Sequence, residues 1–149
     1  MGGYLVRRAF LASPAAASDA PTDRAGLRAE LGVGEANPTQ GFADYGAVGT
    51  WDVTNVIDFF GMVSGLANFN EDLTAWDMSS VTSMYEMFKG ASVFNKPLVF
   101  DTGRVTSMDG MFRSAIAFNQ PLVFDTGSDP SMFSMLLRLL AIAFNQPLV

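Results

Sequence analysis

The chain contains neither cysteine nor histidine. Without cysteine it has no disulfide framework, no thiolate metal site and no cysteine nucleophile. Without histidine it lacks the commonest general base and the commonest metal ligand. Basic side chains are scarce as well. Nine Lys and Arg stand against 15 Asp and Glu, so the net charge is −6 and the pI about 4.4. That balance argues against nucleic acid, whose binders carry a basic patch, and against docking on anionic lipid. No apolar run reaches the roughly 20 residues that span a bilayer, so no transmembrane segment is expected.

What the chain does have is apolar mass, at 49% of 149 residues, with 13 Phe and 9 Met. That suits one domain with a buried core. Residues 1–21 read as a disordered leader or a weak targeting segment. Arg7 and Arg8 precede a stretch of small residues with no acid before Asp19, but Pro14 breaks the apolar part. Gly2 begins a myristoylation pattern that fails at Val6, where Ser or Thr is needed.

The organisation is set by an internal repeat. Phe-Asn pairs begin at Phe69, Phe94, Phe118 and Phe144, in steps of 25, 24 and 26 residues. An aromatic residue followed by Asp begins at Trp51, Trp76, Phe100 and Phe124, in steps of 25, 24 and 24. Met84 with Met87, Met108 with Met111 and Met132 with Met135 form a third column, with Phe59 and Met62 in the first copy. Leu73, Leu98, Leu122 and Leu148 form a fourth. A unit this short cannot enclose a core alone, but stacked units bury their apolar residues against one another. The expected divisions are a cap helix and lead-in at 22–48 and four solenoid repeats over 49–149 (51–75, 76–99, 100–123 and 124–149).

Within one unit, Val81 and Thr82 are β-prone, and Met84, Met87 and Phe88 have the spacing of one face of a helical turn. Gly90 is placed to end that turn in a left-handed conformation. Leu98, Val99 and Phe100 alternate as a strand does, starting near Pro97, which cannot donate to a ladder. Upstream, a short helix is expected from Thr22 or Asp23 to Leu31, with Thr22 as N-cap and Gly32 as stop. Leu27 and Leu31 on one side make it a cap for the first coil.

The stretch "WDVTNVIDFFGMVSGLANFNEDLTAWDMSSVTSMYEMFKGASVFNKPL" resembles the BspA-like leucine-rich-repeat surface proteins, the Mycoplasma-lipoprotein-type repeat written W-D-V-S-x-V-T-x-M-x-x-M-F-x-G-A-x-x-F-N-Q-x-L. The copy from Trp76 to Leu98 matches nearly every position. The resemblance implies a short right-handed leucine-rich-repeat-type solenoid, with parallel β-strands on one face and short helical turns, preceded by an N-terminal capping helix. It also implies an extracellular or cell-surface protein acting in adhesion or protein binding, not in catalysis.

The copies depart from the pattern in places. The first has Phe59 and Val63 where Met and Phe are usual, and the third and fourth have Asp-Thr-Gly for Asp-Val-Ser. In the fourth, Pro130 stands where Val105 stands in the third, and two residues are inserted between Met135 and Phe144. That copy is expected to be irregular and to end without a polar cap. Such an end predicts an exposed apolar face, self-association through the C-terminal coil, or a longer protein.

The repeated polar residues invite functional readings. Asp52, Asp77, Asp101 and Asp125 form a column. Stacked at about 4.8 Å, their carboxylates suggest calcium, whereas each Asp accepting N–H bonds in its own turn is the plainer reading. Asn70, Asn95, Asn119 and Asn145 are expected as a buried or half-buried ladder, since an amide both donates and accepts. The Met column is core packing beside Phe88 and Phe112 rather than a soft-metal site. Glu71 and Asp72 are the densest acidic pair, but neighbours on a strand point to opposite faces, which defeats a hydrolase pairing.

The sequence therefore reads as a non-catalytic interaction module with no cofactor and no metal. Its partner would be a protein or a glycan, met by outward positions that differ between copies: Glu71, Thr74, Lys96, Val99, Gln120 and Val123. The alternatives are a structural or fragmentary repeat without a ligand, and a calcium-stabilised module.

Overall fold

Stacking at a fixed offset requires each repeat to set the same backbone groups under the same partners of the next. The computed structural model describes residues 23–31 and 47–122. Within them, Phe59, Gly61, Val63 and Gly65 donate their N–H groups to the carbonyls of Ser83, Tyr85, Met87 and Lys89 at 2.8–3.0 Å. One repeat on, Met84, Glu86, Phe88 and Gly90 donate to Ser107, Asp109, Met111 and Arg113 at 2.7–3.0 Å. The amides between them turn inward on their own repeat: Met87, Lys89 and Ala91 donate to Met84, Glu86 and Phe88, each at 3.1 Å.

That division corrects the expected helical turn. An α-helix needs successive i→i−4 bonds, and here every second amide is committed to the next repeat. Residues 84–91 are instead a chain of overlapping four-residue turns. Each repeat enters the left-handed region twice in this segment, at Gly61 (φ 56°) and Gly65 (82°), Glu86 (52°) and Gly90 (73°), and Gly110 (66°) and Ser114 (62°).

The expected strands are also shorter than read. Among the described residues there is no β-sheet, only the isolated parallel bridges Asp58 to Ser83, Ser83 to Ser107 and Leu98 to Leu122. Pro97 and Pro121, next to the Leu98–Leu122 bridge, have no N–H with which to extend it. Among the described residues, regular structure is limited to helix α1 (Arg24–Glu30) and a 3-10 turn at Val48–Thr50. The N-cap of α1 is Asp23 rather than Thr22: its carboxylate accepts the Gly26 N–H at 2.8 Å. No helix among the described residues is long and apolar enough to cross a membrane.

The core runs through the stack as columns of like residues. Phe69, Phe94 and Phe118 are stacked with centroids 5.9 and 5.8 Å apart, and Phe88 lies 5.4 Å from Phe112 at an interplanar angle of 4°. The two columns touch, Phe88 on Phe94 at 4.3 Å and Phe112 on Phe118 at 4.2 Å. Leu73, Leu98 and Leu122 are buried alongside Met62, Met87 and Met111. The first repeat departs from the pattern in a compensated way. It carries Val63 and Leu66 where the second has Phe88 and Ala91 and the third Phe112 and Ala115, all buried, so a smaller residue at one position is matched by a larger one three residues on. Leu27 and Leu31 of the α1 segment are fully buried in the same cluster.

The leader (1–21) and the fourth repeat, with Asp125, Pro130 and Asn145, lie outside the described residues, as does Val123.

Candidate functional site

The segment between the Asn and Asp columns holds the sequence-predicted face, including one position where charge changes from repeat to repeat. Glu71, Lys96 and Gln120 occupy equivalent places and are half-buried; Thr74 and Val99 are exposed, Val99 at 65%. Leu73 and Leu98, next to Thr74 and Val99, are buried, so these neighbours face opposite sides. Two of the variable residues also make side-chain hydrogen bonds, one to the neighbouring repeat and one within its own turn. Gln120 Nε2 donates to the carbonyl and to the side-chain Oδ1 of Asn95, at 3.2 and 3.1 Å. Thr74 Oγ1 donates to Asp72 at 2.8 Å.

The described residues of the Asn column, Asn70, Asn95 and Asn119, are exposed rather than buried. Its side chains nonetheless run along the stack: the Asn95 N–H donates to Asn70 Oδ1 at 3.0 Å, and the Asn119 N–H to Asn95 Oδ1 at 2.9 Å. Asn95 thus serves the repeats on both sides. Asn95→Ala is expected to cost about 1 kcal/mol, the net worth of an ordinary hydrogen bond. Asn95→Asp, which keeps the accepting oxygen, should cost less. Urea denaturation of the two variants checks the order.

Each described Asp of the column closes its own turn. The Thr54 N–H and hydroxyl donate to Asp52 Oδ1 at 3.0 and 2.7 Å, Ser79 N–H to Asp77 at 3.0 Å and Gly103 N–H to Asp101 at 3.0 Å. Asp72, not in the column, does the same with Thr74. Among the described residues no three acidic side chains converge as a metal ion would require.

These bonds hold several carboxyls below the ordinary Asp range. For Asp52 the main cause is the Thr54 hydroxyl and then its N–H; for Asp77, the Ser79 side chain and then its N–H. For Asp72 the Thr74 N–H leads, then its hydroxyl, with Lys96 a lesser contributor. A carboxyl depressed in the folded state stabilises fully above its unfolded value, about 3.9, and that stability is lost as pH falls through the folded value. Melting temperature is therefore expected to hold from pH 7 to 5 and to fall below pH 4. Asp52→Asn combined with Asp77→Asn should flatten the acid limb.

Elsewhere the polar contacts anchor what precedes the repeats. Trp76 Nε1 donates to the Val48 carbonyl at 2.9 Å in the buried interior. Arg24 of α1 pairs with Asp58 at 3.1 Å and lies over the Phe60 ring, 5.3 Å from its centroid. Sequence reasoning missed both Arg24 and its neighbour Arg28. No motif marks them, because their setting depends on where α1 packs.

No curated protein and no solved structure matches the chain. The family described as Mycoplasma protein of unknown function, DUF285, has a model that matches residues 37–149, most of the chain, and the chain belongs to that family.

Proposed function

We propose that this protein is a non-catalytic interaction module, a right-handed solenoid of the leucine-rich-repeat type similar to the BspA-like surface proteins. It would work outside the cell or on its surface and bind a protein or glycan. The observation that carries this reading is the contrast between constant and changing positions within one segment. Inward positions repeat as Leu73, Leu98 and Leu122, whereas the exposed position after them changes from Thr74 to Val99 and the half-buried position two residues before them changes from Glu71 to Lys96 to Gln120. Repetition on the inside is what packing needs. An outer face that served only packing would have no use for a change of charge from one repeat to the next.

Parallel stacking at offsets of 24 and 25 residues supports the solenoid reading. The calcium alternative is weakened, because the described carboxylates of the Asp column already accept bonds within their own turns.

The test is a panel of extracellular proteins and glycans, screened with the full chain and then with variants. Lys96→Glu and Glu71→Lys are expected to weaken a bound partner at least tenfold, while Arg104→Ala, outside the face, leaves it unchanged. A partner indifferent to both charge reversals rules out this face. A panel in which nothing binds favours a structural spacer.

A further inference from the structure

The geometry points to a second binding site, unrelated to the variable face: a cavity between α1 and the first two repeats that receives the carboxylate of a small monoanionic ligand. The cavity has a volume of about 410 Å³ and is lined by Arg24, Arg28, Phe60, Gly61, Ser64 and Glu86. That is the size of a small-molecule pocket.

Its charges are unevenly matched. Arg24 is paired with Asp58 at 3.1 Å, and Glu86 with Lys89 at 2.8 Å, with Arg113 a further 4.0 Å contact. Among the described residues Arg28 has no such partner: its Nη1 is buried without a hydrogen-bond acceptor. It lies close to the turn at Gly61, where a side chain's Cβ would come within 3.2 Å of it. A guanidinium is always charged and carries five N–H donors, so an orphaned buried nitrogen has an appreciable energetic cost. Burial, and after it the charge of Arg24, push the Arg28 pKa below its ordinary value, in keeping with a cation short of compensation.

An oxyanion in the cavity supplies the ion-pair partner that Arg28 lacks among the described residues. The fork geometry of arginine favours a carboxylate, which can accept two parallel N–H bonds. Glu86 on the cavity wall sets the limit. Its negative charge opposes a dianion more strongly than a monoanion, so a carboxylate is preferred to sulfate. The protein's net charge of −6 makes this local preference for an anion a property of the cavity, not of the surface at large.

The experiment is an NMR titration of the isotope-labelled full chain with sodium glucuronate and sodium acetate at constant ionic strength, with glucose, sodium sulfate and sodium chloride as controls. Glucuronate or acetate is expected to give saturable shifts at the Arg28 side chain and at the Gly61 and Ser64 amides. Sulfate should bind at least tenfold more weakly, and glucose and chloride should not saturate. Arg28→Gln should abolish saturation with the rest of the spectrum unchanged. If that variant fails to fold, Ser64→Gln, which narrows the cavity and leaves the guanidinium in place, must abolish it instead. Shifts that match the chloride control, or that survive in whichever variant folds, overturn the site. Loss of partner binding by the Lys96 variant has no bearing on this result.

Discussion

Phe94→Ala is expected to destabilise the protein by about 3–5 kcal/mol, the usual range for emptying a buried aromatic site. Phe94 is fully buried and sits at the crossing of the two ring columns, in contact with Phe69, Phe88 and Phe118. Removing its ring opens a hole that neighbours in three repeats would have to fill. They cannot close on it without breaking the inter-repeat bonds at Phe88 and Val93. A domain is stable by only about 5–15 kcal/mol in all, so the variant should be partly unfolded near 37 °C. Phe94→Leu keeps most of the volume and should cost clearly less. Guanidinium denaturation of the three proteins measures the difference. Equal midpoints for wild type and Phe94→Ala would mean that the columns do not carry the core.

The second large effect is steric. Gly49, in the 3-10 turn, faces the backbone of the next unit: a Cβ there would collide with the carbonyl of Asp72. Backbone cannot swing aside as a side chain does. Gly49→Ala is therefore expected to cost about 1–3 kcal/mol, as overpacking does, despite adding only one methyl group. It should also disturb the Trp76 to Val48 bond nearby, visible as a change in tryptophan fluorescence. Gly65→Ala is the comparison. Its Cβ meets nothing within 4 Å, so its cost is that of the left-handed backbone alone.

The inward positions of this fold were legible in the sequence because stacking makes inward positions alike. Phe69, Phe94 and Phe118 were assigned to one column from spacing alone, and they stack as one. The local path was less legible, for a physical reason. Met84, Met87 and Phe88 have helical spacing, but a chain of overlapping four-residue turns puts the same residues inside. The distinguishing signal was the pair of left-handed positions four apart. Glycine marks both in the first repeat, at Gly61 and Gly65, but Glu86 and Ser114 take one place each in the next two. The strands were overread because Leu98, Val99 and Phe100 alternate as a strand would, while the adjacent Pro97 limits pairing to one bridge. The exposure of the Asn ladder and the Arg28 cavity depend on how segments far apart in sequence meet, and no single repeat encodes that.

The central claim is that the repeats lie in parallel, each upon its neighbour, with like residues in register. Inter-ring nuclear Overhauser contacts in a protein carrying selectively labelled phenylalanine test it most directly. Contacts are expected from Phe69 to Phe94 and from Phe94 to Phe118, and from Phe88 to Phe112, with none from Phe69 to Phe118. A direct Phe69 to Phe118 contact, or the absence of contacts between rings one repeat apart, would contradict it.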